Sequence, residues 1–190
     1  MSSFQRIDDL IERMTTITRQ LKSFARKGGE AFEIIDLRSA VSGALTLMEP
    51  QLRARRLAIT RRLPRQPVLV HCDRIRMEQV IVNLLRNAID ATRSVSDPRM
   101  EITLEDDVQA VLTIRDNGEG VKNFEQLFEP FFTTKNPGEG TGLGLAISSG
   151  IITDFGGRLT AYNVEDGPGA IFEVVLPLFH GEAAATRATG

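Results

Sequence analysis

The chain has 190 residues, 42% of them hydrophobic and 25% charged, enough for one buried core with a short appendage and ordinary for a soluble globular protein. A formal charge of −2 gives no electrostatic reason to expect a nucleic-acid partner, and the single cysteine, Cys72, excludes a disulfide framework and a thiolate metal cluster. The most apolar window, Gly142 to Gly157, is interrupted by Ser148, Ser149 and Asp154 and is too short to span a bilayer, while the charged stretch Phe4 to Lys27 is unlike a signal peptide.

From Phe4 to Ala25 apolar residues recur at Phe4, Ile7, Leu10, Ile11, Met14, Ile17, Leu21 and Phe24, which predicts an amphipathic helix ended by the glycines of RKGGE. Its stripe is wide enough for a helical bundle and needs another surface to cover it. A short strand is predicted at Phe32–Ile35, followed by a helix capped by Asp36 and running to about Arg55. Leu57–Leu63 and Pro67–His71 read as strands around a Pro-containing turn. Asp73 then caps a helix to about Ser94. Met100–Asp106 and Gln109–Arg115 predict a hairpin, and a long, Gly-rich, poorly periodic stretch follows from Asn117 to Thr141. Gly142–Phe155 reads as a helix, and Arg158–Glu165 with Gly169–Leu176 as a closing hairpin. The residues after Pro177, ending GEAAATRATG, have no core-forming pattern and predict a disordered tail. The basic run LRARRLAITRRLPR (52–65) alternates as a solvated sheet face would. The expected fold is α+β: a two-layer sandwich of three helices on a mixed, mainly antiparallel sheet of about five strands, preceded by one bundle helix.

Three segments carry possible chemistry. In EQVIVNLLRNAIDA (78–91), Asn83 and Asn87 share a helix face with Asp90 one turn further on. Buried asparagines can satisfy nearby backbone, or they can hold a hydrated Mg²⁺ beside phosphates. In DNGEG (116–120), Asp116 follows a strand, and Gly118 and Gly120 flank a single residue. A plain turn explains one glycine; two suit the close approach of a flat ligand, with a carboxylate that accepts adenine's amino group and repels guanine's carbonyl. The stretch FEPFFTTKNPGEGTGLGL (128–145) is neither a Walker loop nor a Rossmann fingerprint. It leaves Gly140, Gly142 and Gly144 leading into a helix, whose N-terminus is an anion site.

In this order and spacing the segments resemble the nucleotide-binding domain of sensor histidine kinases, part of the superfamily that includes gyrase, Hsp90 and MutL ATPases. NLLRNAIDA resembles the N box, DNGEG the first glycine box, FEPFF the F box and GEGTGLGL the second glycine box, and the resemblance covers about Ile34 to Leu178. The segment IERMTTITRQLKSFARK resembles the second helix of the kinases' dimerisation bundle, and together with FFTTK is most similar to the C4-dicarboxylate-sensing and nitrogen-regulatory branches. The resemblance therefore implies a dimerisation-bundle helix over 1–29 with the first, histidine-bearing helix absent, an ATP-binding catalytic domain over 30–178, and a disordered tail over 179–190. It implies that Asn87 ligates Mg²⁺ bridging the phosphates of ATP or ADP, supported by Asn83, and that Asp116 binds adenine between Gly118 and Gly120. It implies that Gly140, Thr141, Gly142, Leu143 and Gly144 serve the phosphates, and that Phe128, Phe131 and Phe132 anchor a lid.

Two departures stand out. Many such kinases carry a basic residue where this chain has Asp90, and an arginine where it has Thr133; Lys135 is the substitute cation expected at the γ-phosphate. A gyrase- or MutL-type ATPase, which places a water-activating glutamate at the position of Asn83, and an anti-sigma-type serine kinase are the alternative readings. The histidines, His71 and His180, lack the exposed helix and following acidic residue of the family's acceptor, so no self-labelling is expected. The expected partners are ATP, a response regulator receiver domain and the histidine-bearing helix of a homodimeric full-length kinase, with this part in the cytoplasm and its parent anchored in the inner membrane.

Overall fold

The computed structural model describes residues 32–135 and 140–180, so the helix expected over Phe4–Ala25 and the residues from 181 onward lie outside the described residues. In chain order the elements are β1 (Glu33–Asp36), α1 (Leu37–Ala54), β2 (Ala58–Arg62), β3 (Leu69–Cys72), α2 (Arg74–Ala91), β4 (Arg99–Glu105), β5 (Ala110–Asp116), α3 (Gly144–Asp154), β6 (Arg158–Asn163) and β7 (Ala170–Leu176). Both predicted caps form. The Asp36 carboxylate accepts the N–H of Arg38 at 3.1 Å, and the Asp73 carboxylate accepts the N–H of Arg76 at 3.1 Å, each satisfying a first-turn donor that a helix leaves unpaired.

The main sheet has the order β2-β4-β5-β7-β6. β4 and β5 form the predicted hairpin, β6 and β7 the second, and only β2 runs parallel to its neighbour, β4. This is the expected two-layer sandwich, with a mostly antiparallel five-stranded sheet and three helices. Alternation along the strands buries Met100, Ile102 and Leu104 of β4 and Ala110, Leu112 and Ile114 of β5. The opposing helix faces are equally regular. α1 buries Leu37, Ala40, Val41, Ala44, Met48 and Leu52, while α2 buries Met77, Val80, Ile81, Leu84, Leu85, Ala88 and Ile89.

One pairing differs from expectation. β2 and β3 do not meet around their Pro-containing turn: β3 pairs with β1 in a separate two-stranded sheet, and β2 joins the edge of the main sheet. The reason lies at the start of α1. The Asp36 carboxylate accepts the N–H of Val68 at 3.2 Å, and Arg38 donates to the carbonyl of Arg65 at 2.5 Å, so the connection is drawn towards the helix and away from β2. The Arg38 guanidinium beside Asp36 holds its carboxyl below the usual carboxylate range. At the far end Phe179 donates its N–H to the carbonyl of Leu69 at 2.7 Å, so the chain continues against β3 after β7 ends. Arg61 and Arg62 lie exposed on the outer edge strand, in keeping with the solvated face read from the basic run.

Candidate functional site

The inward alternation of β5 does not stop at its apolar residues. Asp116 takes the next inward position after Ala110, Leu112 and Ile114, and is only 2% exposed. A lone buried carboxylate needs donors, and Asp116 Oδ1 accepts the N–H of Gly118 at 2.8 Å and that of Ala170 at 3.4 Å. Among the described residues Oδ2 has no hydrogen-bond partner, which leaves one acceptor directed at whatever occupies the neighbouring space. Burial pushes the Asp116 carboxyl above its usual range, and the two N–H donors pull back against that shift.

The loop after Asp116 is fixed by close backbone contact. A Cβ at Gly118 would stand 2.5 Å from the carbonyl oxygen of Ala91 at the end of α2, so only glycine lets the loop lie against the helix. Asn163 of β6 holds the next turn from the other side, accepting the N–H of Val121 at 2.7 Å and donating to its carbonyl at 3.0 Å. Asn117 fastens the strand end, accepting the N–H of Arg99 at 2.8 Å.

α2 supplies the opposite wall. Asn83 donates to Ser148 Oγ of α3 at 3.0 Å, and a Cβ at Gly144 would collide with the Asn83 amide, so the two helices meet at a glycine–asparagine contact. The Asn83 amide is thus spent on holding α3 in place. Asn87, half-buried one turn on, makes no side-chain hydrogen bond among the described residues. α3 begins with Leu143 at its cap position and with no side-chain hydrogen bond to its first turn, where Ser, Thr, Asp or Asn would ordinarily serve. Its amide-bearing end is left for another acceptor, and a helix N-terminus favours an anion.

Residues 117–143 between β5 and α3 are irregular among those described. Phe128 is half-buried and packs on the core, and Phe132 is partly exposed. Phe131, which the resemblance implies helps to anchor a lid, is 71% exposed. It contributes through its backbone instead: its N–H donates to the carbonyl of Gly142 at 2.9 Å, with φ values of +69° at Phe131 and +66° at Gly142. The left-handed backbone turns the phenylalanine outward, and Gly142, whose Cβ would overlap the Phe131 carbonyl, permits the crossing. Thr141 Oγ1 accepts the N–H of Leu143 at 3.4 Å. Gly140 lies against Thr133 and Lys135, and the Lys135 ammonium stands 2.5 Å from Asp90 Oδ2 on α2.

The fold thus brings together Asn83, Asn87, Lys135, Gly140, Thr141, Gly142, Leu143 and Gly144 where α2 and α3 meet, with Asp116, Gly118 and Gly120 at the end of β5. Ser148, Asn163 and the Asp90–Lys135 pair were not foreseen. Ser148 carried a signal as a hydroxyl at an inward position of an apolar helix, and Asp90 and Lys135 were each singled out in the sequence without being paired. Among the described residues no group of three His, Cys, Asp or Glu side chains can hold a metal ion, so a cation here would draw its ligands from few protein atoms. His71 and His180 are exposed, and His71 stands edge-on to Phe32 at 5.5 Å in a shallow cavity with Asp154 and Phe155. That cavity is at the C-terminal end of α3, about 16 Å from the helix start at a rise of ~1.5 Å per residue. No described helix is long and apolar enough to cross a membrane.

Among the described residues, an acceptor at the strand end, an unpartnered asparagine on one helix and an uncapped start of another make a cradle of polar groups open to a ligand. Comparison with known proteins gives the family. The chain is 36% identical over 186 residues to the C4-dicarboxylate transport sensor protein DctB of Pseudomonas aeruginosa, an alignment covering 96% of this chain and 30% of that protein. Less than a third of the length of such curated relatives is therefore spanned. Among solved structures it resembles the catalytic domain of histidine kinase ThkA, with a TM-score of 0.68 at 31% identity, covering 78% of this chain and 98% of that one. It also resembles ThkA in complex with the response regulator protein TrrA, with a TM-score of 0.74 at 27% identity over 91% of this chain and 49% of that one. A family model matches residues 72–180, from the end of β3 past β7 and through every element of the cradle: the chain belongs to the histidine kinase-, DNA gyrase B- and HSP90-like ATPases.

Proposed function

We propose that this chain holds Mg-ATP for transfer of the γ-phosphoryl group to a histidine of a sensor kinase, from which it passes to an aspartate of a response regulator. The observation that carries this reading is a buried, half-satisfied Asp116 and an uncapped start of α3 set against the same helix, α2, through the Gly118–Ala91 and Gly144–Asn83 contacts. In this reading Asp116 Oδ2 accepts the adenine amino group, and Gly118 and Gly120 leave room for the base. Gly140, Thr141, Gly142, Leu143 and Gly144 present the phosphates with backbone N–H groups, Phe128 seats the segment on the core, and Lys135 faces the γ-phosphate. Asn87 is the protein ligand for Mg²⁺, which, when bound, neutralises phosphate charge.

Asn83 separates transfer from hydrolysis. It occupies the place where a water-activating carboxylate would stand in the hydrolases of this family, and its amide donates to Ser148 and cannot accept a proton. Neither His71 nor His180 is the acceptor in this reading: His71 is held in β3 opposite Ile34 and lies by the cavity at the other end of α3. The acceptor belongs to a dimerisation helix, with residues 1–29 as the neighbouring helix of the same bundle, residues 30–178 as the catalytic domain, and a cytoplasmic setting. Incubation with γ-labelled ATP, following bound nucleotide, free phosphate and protein-bound label together, tests the proposal. Nucleotide binding with neither rapid phosphate release nor label on this chain is the expected result. Rapid release would favour a hydrolase, and acid-labile label on His71 would overturn the acceptor assignment.

A further inference from the structure

Lys135 is a restrained cation. Its ammonium contacts Asp90 Oδ2 at 2.5 Å, while Asp90 Oδ1 meets the Arg93 guanidinium at 2.8 Å. Asp90 lies on α2 one turn beyond Asn87, and its side chain is 14% exposed against 29% for Lys135. A charge-assisted contact at that depth is less screened than an open surface pair. At this end of the segment the Lys135 N–H also donates to Thr133 Oγ1 at 3.2 Å, the Phe131 N–H donates to the Gly142 carbonyl, and the Lys135 stem lies against Gly140. Among the described residues Asp90 is the group that meets the ammonium itself, so the aim of that ammonium depends on Asp90.

The geometry points to Asp90 as a positioning residue, which through its ion pair holds the Lys135 ammonium beside Asn87 so that the γ-phosphate meets a cation already in place. The inference rests on the reading of Lys135 as the γ-phosphate cation. An ammonium has three donors, so one stays on Asp90 while the others face phosphate. Arg93 offsets the carboxylate's own charge, which limits its repulsion of the nucleotide. Preorganisation of this kind raises affinity by removing the ordering cost at binding.

The alternative, a carboxylate that merely balances surface charge, predicts the opposite sign, because its removal from a phosphate site would tighten binding. The test measures ATP and ADP dissociation constants for the 190-residue chain and for Asp90→Asn, Asp90→Glu, Lys135→Ala and the Asp90→Asn/Lys135→Ala double variant. Asp90→Asn is expected to weaken ATP about fivefold to tenfold and ADP by less than about twofold, with Asp90→Glu recovering part of the loss. In the Lys135→Ala background the Asp90 effect disappears. Without nucleotide, Asp90→Asn speeds hydrogen exchange of the Phe132–Lys135 amides. Unchanged or tighter ATP binding by Asp90→Asn, additive effects in the double variant, or unaltered exchange would overturn the inference while leaving the Lys135 reading standing. Unchanged ATP binding by Lys135→Ala would remove that reading and the inference with it.

Discussion

Replacing Asp116 by Asn tests the proposed base contact, because the substitution changes charge and donor pattern while keeping shape. Asp116 Oδ1 accepts two backbone N–H groups, and an asparagine oxygen in the same place can keep both. The amide NH₂ then replaces Oδ2, the oxygen without a protein partner, and confronts adenine's amino group donor to donor. A hydrogen bond to a charged group contributes about 1.5–3 kcal/mol, so ATP affinity should fall by roughly ten- to a hundredfold at ~1.4 kcal/mol per tenfold. Discrimination against GTP should narrow as well, since an NH₂ can donate to guanine's carbonyl. Stability moves the other way. The folded Asp116 carboxyl titrates above its unfolded value because burial disfavours the charge, so the folded state binds the proton more tightly. Stability is therefore lost as pH rises from the unfolded value through the folded one, and at neutral pH the charge is a burden that Asn removes. Titration calorimetry with ATP and GTP, paired with thermal melts at pH 7, reads both effects. Unchanged ATP affinity refutes the base contact. A lowered melting temperature refutes the electrostatic account and attributes any lost affinity to misfolding.

The pH dependence of ATP binding should follow the same group: affinity falls on acidification at a higher pH than an ordinary carboxylate would dictate, and Asp116→Asn flattens that limb of the profile. Asn87→Ala should abolish the enhancement of ATP binding by Mg²⁺ while leaving metal-free binding within about threefold, read by titration with and without chelator, since a Mg²⁺ site commonly relies on one or two protein ligands. Gly118→Ala should lower stability by about 1–3 kcal/mol, because its Cβ meets the rigid Ala91 carbonyl; Gly150→Ala, with nothing within 4 Å inside α3, should raise it by about 0.5–1 kcal/mol in denaturant titrations. Burial pushes the Cys72 thiol up to about 12, so it should resist an aromatic disulfide reagent at pH 8 in the native chain and react at once when unfolded.

What the sequence revealed depended on how local each signal was. Caps and periodic faces were legible because they are set within a few residues: Asp36 and Asp73 start their helices as read, and the buried faces of α1 and α2 follow their apolar stripes. Asp116 was legible for a related reason, since the two glycines that follow it within four residues mark more than a plain turn at a strand end. The β2–β3 relation was not, because it is decided by Asp36 and Arg38, some thirty residues from the connection that they draw away. Phe131 misled through its type: an aromatic residue suggests burial, whereas the left-handed backbone imposed by the Gly142 crossing turns it to solvent. Asp90 appeared in the sequence on the face of Asn83 and Asn87 and as a missing cation, without a partner. Its role emerges once the fold brings a lysine 45 positions later against it.

The two ends of the proposed nucleotide site are held by interactions of different strength, and this would divide their labour. At the base end the holds are deep: a carboxylate 2% exposed, backbone donors from Gly118 and Ala170, and a glycine pressed on Ala91. Shifting any of them disturbs the core, where a misplaced polar group costs about 1–3 kcal/mol, so in the proposed reading this end would discriminate among bases without changing shape. At the proposed phosphate end the holds include a backbone hydrogen bond at Phe131, the partly buried Phe128 and the Asp90–Lys135 pair, whose side chains are partly exposed. Partly exposed ion pairs contribute only about 1 kcal/mol or less, within reach of what a phosphate group can offer in exchange. On the proposed function, base selection would therefore belong to the part of the fold that cannot yield, and the response to the γ-phosphate to the part that can. On this reasoning, substitutions at Asp90 should alter the ATP-to-ADP preference without altering ATP-to-GTP, and substitutions at Asp116 the reverse.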